Sequence, residues 1–169
     1  MEDRELLERA QTGARELVYV AKDGDTEGIY GVLRRVTGDS PGGPDARLIV
    51  GQLVSAAAQM MLLRVGTPPR DVIYAVDLRD DDEFMVPIDE LTPPLRATVR
   101  ALLAELNGEP DDAAFQLDLA LCQQTVATTL DVVVHSLLWT IGLLEWCAAE
   151  GQPAPEWLIG HPISPPHHG

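Results

Sequence analysis

The feature that most restricts the fold of this chain is an apolar stretch in its C-terminal half. Between residues 119 and 144 the only formally charged side chain is Asp131, and the stretch is most hydrophobic from Val132 to Leu144. A membrane-spanning helix needs about 20 apolar residues, and an Asp near its centre costs roughly 2.5 to 3.5 kcal/mol. No Lys or Arg flanks the stretch. We therefore expect a helix buried at the centre of a bundle rather than one that crosses a membrane.

Four earlier segments repeat apolar residues at three- and four-residue steps, which is typical of amphipathic helices. They run from Leu6 to Ala21, from Asp25 to Val36, from about Asp45 to Val65, and from Thr92 to Leu106. The last of them begins with Thr92-Pro93, which combines an N-cap residue with Pro at the first helical position. These patterns predict four helices before the apolar stretch.

Residues 110–150 also have a helical pattern, but a single helix of this length would extend roughly 60 Å. A globule of 169 residues is too small to hold such a helix. β-Branched side chains crowd residues 125–134, and Thr128 to Asp131 resembles a capping box with Asp in the acidic position. We expect the helix to break near Thr128.

Between residues 72 and 88 the spacing of apolar residues changes from about 3.6 residues, as in a helix, to two residues, as in a strand. Two alternating runs, residues 72–78 and 83–88, predict a β-hairpin whose tip contains Asp80, Asp81, Asp82 and Glu83. An isolated two-stranded hairpin is only marginally stable, so it must pack on the helices or pair with another chain. The predicted fold is mainly α: a compact bundle of five to six helices with one small β-hairpin.

The length of the chain favours one domain, because 169 residues with 46% hydrophobic side chains are enough to fill a single core. We assign this helical domain to residues 1–150, with the hairpin at about 72–88. Residues 151–169 form a Pro-rich C-terminal tail, which is expected to be extended because Pro interrupts helices and central strands. Its apolar residues Trp157, Leu158 and Ile159 would tether it.

Acidic side chains dominate the second half of the chain. Residues 1–70 contain 10 acidic and 9 basic side chains, residues 71–169 contain 17 and 3, and no Lys or Arg follows Arg100. Nucleic acids and anionic lipids bind through Lys and Arg, so neither direct nucleic-acid binding nor membrane binding is expected. The first residues lack the features of a secretory signal, which favours a cytoplasmic location. The expected partner is a protein with a basic surface.

Four polar or amphipathic residues share one helix face within the apolar stretch, since three- and four-residue steps separate them: Thr128, Asp131, His135 and Trp139. In many active sites and metal sites, a carboxylate accepts a hydrogen bond from a histidine and so orients its imidazole as a general base or a metal ligand. However, Asp131 also fits the capping box, and no Ser, Cys or second His has a spacing that completes a triad or a metal site. The cluster is predicted to be a structural or pH-sensing pair, with a pocket wall as the alternative.

The acidic tip of the predicted hairpin has two interpretations. Clustered carboxylates are the ligands that Ca²⁺ and Mg²⁺ prefer, but Asp80 to Glu83 lacks the spacing of an EF-hand loop. Adjacent side chains in a tight turn also point in different directions. The tip is therefore predicted to be solvated and to contact a basic partner, and no metal site is expected.

Sequence motifs of the common enzyme classes are absent from the chain. It contains no Glu-x-x-His, His-Glu-x-x-His, Gly-x-Gly-x-x-Gly or Gly-x-Ser-x-Gly segment. Cys122 and Cys147 lie on apolar helical patterns without CxxC spacing, which indicates buried thiols. We predict no catalytic residue and no cofactor, and an enzyme is the less favoured class.

Three functional hypotheses follow from these patterns. The first is a protein-interaction module, either an adaptor, a chaperone or a regulator, that docks on a basic partner surface. The second is a DNA mimic that inhibits a nucleic-acid-binding protein through carboxylates spaced like phosphates. The third is a small-molecule-binding bundle or enzyme with a pocket near His135. A homodimer, formed through the hairpin or the apolar helices, is compatible with each of them.

Overall fold

The computed structural model of the protein describes residues 1–37, 44–66, 78–79, 82–121 and 125–160. These residues are mainly helical, which confirms the predicted mainly α class. They form seven α-helices and one 3-10 turn at Ile88–Glu90. The α-helices are α1 (Glu2–Lys22), α2 (Thr26–Thr37), α3 (Pro44–Val65), α4 (Pro93–Leu106), α5 (Pro110–Leu121), α6 (Val126–Glu150) and α7 (Glu156–Ile159).

Helix α3 is the centre of the described fold, since it packs against α1, α2, α4, α5 and α6. A helix that is apolar on most of its circumference must be surrounded to be stable in water. Its buried side chains accordingly point in several directions, and five of the largest are at most 1% exposed: Ile49, Val50, Leu53, Val54 and Met60. Most of the apolar stretch predicted at residues 119–144 lies in α6, which is one of the neighbours of α3 and not the central helix that the sequence led us to expect.

Helices α3 and α6 pack against each other, and both bury small side chains. Ala56 and Ala57 of α3 and Ser136 and Thr140 of α6 are each at most 1% exposed. The Thr140 hydroxyl donates to the Ser136 carbonyl at 2.8 Å and also reaches the Leu53 carbonyl of α3 at 3.3 Å. The buried hydroxyl thus has acceptors on both helices, which removes the cost of an unsatisfied polar group.

The break in residues 110–150 lies slightly before the predicted position. α5 ends at Leu121 and α6 begins after Thr125, whose side-chain oxygen accepts a hydrogen bond from the Thr128 backbone N–H at 3.2 Å. Thr125 is therefore the N-cap, and the prediction that Thr128 caps the helix was wrong by three residues. Asp131 lies beyond the first turn of α6 and is not the acid of a capping box.

The chain turns back at Gly151, which ends α6 in the left-handed conformation with φ 63°. Glycine adopts this conformation without the steric cost that a Cβ brings. Gln152 to Pro155 are not helical, as expected for the tail, but Glu156–Ile159 form the single turn α7, so the expectation of an extended chain was wrong there. Leu158 is only 5% exposed and Trp157 packs against the same core, as predicted for the tether, whereas Ile159 is 60% exposed and does not contribute to it.

The predicted hairpin at about 72–88 lies only partly within the described residues, and residues 72–77 of its first strand lie outside them. Arg79 and Met85 form an isolated antiparallel bridge, and the Val86 N–H donates to the Leu78 carbonyl at 2.8 Å. Ile88 already begins the 3-10 turn. The described residues contain no longer strand, so the hairpin remains a prediction beyond this bridge.

Among the described residues, two helices are long and apolar enough to cross a membrane by length and composition alone, namely Asp45–Val65 of α3 and α6 as a whole. In each of them, 44% of the most apolar window is buried inside the protein. Core helices of soluble proteins have the same properties, and α3 and α6 pack against each other. The two helices are therefore weak evidence for a membrane location.

We expect Leu53→Ala to lower the free energy of unfolding by about 2 to 5 kcal/mol, because Leu53 is 0% exposed in the centre of α3 and Ala would leave a cavity. Leu63→Ala is the matched control on the same helix, since Leu63 is 43% exposed and should cost much less. Urea unfolding of both variants measures the difference. Equal losses would contradict the central position of α3.

Candidate functional site

The four residues predicted to form a polar cluster lie along α6 but do not converge on a pocket. The Thr128 hydroxyl is within hydrogen-bond distance of the Thr125 side chain at 3.1 Å and the Thr125 carbonyl at 3.0 Å, so it belongs to the helix cap. Trp139 is partly buried and packs against the core. Only Asp131 and His135 contact each other as the sequence spacing predicts.

The contact between Asp131 and His135 is local to one helix. His135 Nδ1 lies 2.8 Å from the Asp131 carbonyl oxygen and 3.4 Å from Asp131 Oδ1, and the side chains are 37% and 48% exposed. An exposed pair of this kind contributes little to stability. Within the described residues no three His, Cys, Asp or Glu side chains are grouped so that they could hold a metal ion. This geometry supplies neither a nucleophile nor a closed site, and the pH-sensing role remains a prediction.

Only part of the predicted acidic tip can be described, because Asp80 and Asp81 lie outside the described residues. Asp82 and Glu83 are exposed, and Glu83 has a positive φ of 64°. Arg79 Nη1 lies 3.3 Å from the Glu83 carbonyl and 3.8 Å from its carboxylate, so a cation offsets part of the local negative charge. Phe84 and Met85, which follow directly, are 70% and 65% exposed. The tip therefore combines acidic and apolar side chains.

Helix α5 exposes a second acidic and apolar surface, which the sequence patterns did not single out. Phe115 and Leu119 lie one turn apart and are 57% and 52% exposed. Three exposed carboxylates lie on the same helix, at Asp111, Asp112 and Asp118. We call these five residues the α5 face. The sequence of residues 110–121 could have indicated this surface. Its apolar residues are distributed around more of the helix than the single face that packs against the core.

The α5 face is held in place by the opposite side of the helix. Ala113, Leu117, Ala120 and Leu121 are buried, and α5 packs against α4 and α3. Arg47 of α3 forms an ion pair with Asp118 and donates from Nη2 to the Ala114 carbonyl at 3.4 Å. The exposed side chains of α5 are therefore presented by a helix that is anchored at several points along its length.

A cavity of about 850 Å³ lies between α1, the C-terminal half of α6, and the segment that includes α7. Its walls are mostly apolar, with Val18 of α1, Leu144 and Cys147 of α6, and Leu158 of α7 among them. Ligand pockets commonly have volumes of about 300 to 1,000 Å³ and apolar walls with a few polar groups. None of Thr128, Asp131, His135 and Trp139 lines the cavity, so the pocket is not where the sequence suggested.

Arg15 of α1 connects this helix to the segment with α7, which forms another wall of the cavity. Its Nη1 donates to the Trp157 carbonyl at 3.1 Å, and it lies 3.0 Å from the place where a Cβ at Gly160 would be. A side chain at residue 160 would therefore need Arg15 to move. Because the two partners are 142 residues apart in sequence, the cavity depends on a contact that no local pattern reveals.

Burial changes the ionisation of two groups. Desolvation raises the pKa of the Cys147 thiol, so the side chain is a neutral apolar part of the cavity wall rather than a nucleophile. Desolvation also raises the pKa of the Glu105 carboxyl on α4, because burial disfavours its charged form. Neither shift creates a reactive group.

Comparison with models of protein families, with curated proteins and with solved structures gives no match to this chain. The α5 face, the tip around Phe84 and the cavity are consequently interpreted from their own geometry and charge. Two of these three features are exposed surfaces and one is a concave site.

The raised pKa of Glu105 predicts a pH dependence of stability. The folded protein binds a proton at this carboxyl up to a higher pH than the unfolded chain does, so its contribution to stability falls as the pH rises through the window above the ordinary value of 4.5. Glu105→Gln should therefore stabilise the protein at about pH 7, and the two proteins should converge at about pH 4.

Urea midpoints at several pH values measure this effect. Glu109→Gln is the matched control, since Glu109 is exposed and lies four residues away. An equal gain in both variants would show that relief of the general negative charge, rather than burial of Glu105, is the cause.

Proposed function

We propose that this protein is an interaction module that docks on a basic surface of a partner protein, and that the α5 face is the contact surface. One observation carries the proposal: Phe115 and Leu119 are exposed one turn apart beside Asp111 and Asp112 on an anchored helix. An adaptor, a chaperone or a regulator would use such a surface in the same physical way.

The two kinds of side chain on the α5 face have different roles in binding. Aromatic and large apolar residues supply most of the binding energy once a partner excludes water from them. Carboxylates attract a basic partner and increase the association rate, while their contribution to affinity is smaller. Asp111 and Asp112 also stabilise the first turn of α5 through the helix dipole, so they have a structural role beside the proposed one.

The charge distribution supports a basic protein as the partner. The second half of the chain carries a net charge of −14, which attracts basic surfaces and repels nucleic acid and anionic lipid. We accordingly propose a protein that acts in the cytoplasm, without a cofactor and without a direct contact to nucleic acid or membrane.

The remaining structural predictions fit this function. We propose that the helices pack as one compact bundle of the predicted size, and that the bridge between Arg79 and Met85 belongs to a small hairpin. Its acidic tip, with exposed Phe84 and Met85, would be a second docking contact. A homodimer remains compatible with the exposed position of Leu138, which is 60% exposed on the apolar helix α6.

The alternatives receive less support from the geometry. A DNA mimic needs rows of carboxylates, whereas Phe115 and Leu119 interrupt the acidic residues of α5 with side chains that a phosphate backbone lacks. A pocket near His135 receives less support because the cavity between α1, α6 and α7 is lined by other residues. The apolar interruptions favour a partner that is both basic and partly apolar.

The test compares two variants of the α5 face. In the first, Phe115→Ser is combined with Leu119→Ser; in the second, Asp111→Asn is combined with Asp112→Asn. Proteins captured from lysate of the native host by the wild type at low salt are identified, and the purified candidate is then titrated against each variant.

We expect the apolar variant to weaken binding by about tenfold or more, mainly through faster dissociation. The acidic variant should slow association and make it less dependent on salt. Leu7→Ser and a variant combining Glu2→Gln with Asp3→Asn are the matched controls, because they change exposed apolar and acidic side chains on α1. Salt-independent capture, or equal losses in the controls, would rule out the α5 face.

A further inference from the structure

We infer that the cavity between α1, α6 and α7 is a binding site for a small amphipathic anion, that is, a molecule with a hydrocarbon body and a carboxylate or similar acidic head. This site is separate from the proposed docking surface, since no residue of α5 lines it. It would give the protein a ligand that the interaction function does not require.

The shape and walls of the cavity suit the hydrocarbon body. Val18, Leu144, Cys147 and Leu158 are buried side chains at the apolar part of the cavity lining. The raised pKa of Cys147 keeps its thiol neutral, so this wall carries no charge. An apolar ligand that replaces water in such a space gains free energy in proportion to the apolar area that it covers.

The cations on the α1 side of the cavity suit the acidic head. Arg15 and Lys22 are seven residues apart on α1, so they lie two turns apart on the same side of the helix, with Val18 and Tyr19 between them. Lys22 is the only lysine of the chain. In the described part of the protein, no carboxylate forms an ion pair with it.

The one acidic residue in the cavity lining does not cancel these cations. Glu16 forms an ion pair with Arg35 of α2, so its charge is already matched by a residue outside the cavity. Arg15 uses one N–H on the Trp157 carbonyl and retains further donors, because a guanidinium group has five. The cavity therefore has positive side chains at its edge in a protein whose net charge is −15.

The positive charges of Arg15 and Lys22 at the edge of the cavity favour an anionic ligand over a neutral or cationic one. A cationic amphiphile would be attracted to the acidic surface elsewhere, but it would meet Lys22 and Arg15 at the cavity. A neutral hydrocarbon would gain only the apolar contacts. An anion gains both the apolar contacts and the attraction of Lys22, which lies at the exposed end of α1.

The experiment uses the full chain with decanoate, decanol and decylamine as probes. They share one hydrocarbon body and differ in the charge of the head. Titration calorimetry measures their affinities directly, and displacement of anilinonaphthalene sulfonate, a fluorescent apolar anion, provides a second readout. We expect decanoate to bind more tightly than decanol, and decylamine to bind most weakly.

Two substitutions locate the ligand. Lys22→Gln should weaken decanoate by about threefold to fivefold and leave decanol unchanged, because a partly exposed charge contributes at most about that much. Arg34→Gln is the matched control, since Arg34 is an exposed cation on α2 that does not line the cavity. An equal effect of both substitutions would show that only the net charge matters.

Filling the cavity tests the apolar part of the site. Ala148 lines the cavity whereas its neighbour Ala149 does not, so Ala148→Trp should abolish binding of all probes and Ala149→Trp should not. Circular dichroism confirms that each variant is folded, and Ala154→Phe, at another lining residue, replaces Ala148→Trp if that variant fails to fold.

Four results would overturn the inference: equal affinity for decanoate and decanol, an equal effect of Lys22→Gln and Arg34→Gln, unchanged binding after the cavity is filled, or no binding by the full chain. A chain that ends at Gly160 tests whether the residues after it, rather than a small molecule, occupy the cavity. If it binds the probes while the full chain does not, the final residues of the protein occupy the cavity instead of a small molecule.

Discussion

The burial of α3 is the interaction on which the rest of the fold depends. This helix is apolar on most of its circumference, so a single neighbour cannot remove it from water, and five other helices pack against it. One of these neighbours is α6, whose Thr140 hydroxyl reaches the Leu53 carbonyl of α3 at 3.3 Å. On α5, the positions that face solvent are those left over after its other side packs against α4 and α3.

The arrangement separates two kinds of surface. On α5, buried Leu117 and Leu121 point inward, which leaves Phe115 and Leu119 exposed beside carboxylates. On α1, the side that meets α6 and α7 encloses an apolar cavity with Lys22 and Arg15 at its edge. In a chain with a net charge of −15, the described residues thus place exposed carboxylates on α5 and two cations at the edge of the cavity. The two proposals rest on these different regions.

Local sequence patterns predicted the helices well where one strong signal marked each end. Thr92 and Pro93 begin α4 as expected, and α1 ends at Lys22 where turn residues follow. The start of α6 was missed by three residues because Thr125 and Thr128 both suit an N-cap, and only the hydrogen bond from the Thr128 N–H distinguishes them. The contact between Asp131 and His135 was predictable from the sequence, because residues four positions apart are neighbours on the surface of a helix.

By itself, the sequence determined the mainly helical class, the acidic second half and the absence of common catalytic motifs, since periodicity, charge and motif spacing are local properties. Tertiary structure alone decided which helix is central, which apolar residues of α5 remain exposed, and where the cavity lies. Those outcomes depend on pairs such as Arg15 and Trp157, which are 142 residues apart. The hydrophobic effect is non-directional, so the apolar face of one helix does not specify which other helix covers it. The pairing of helices is therefore fixed only when all of them pack into one core.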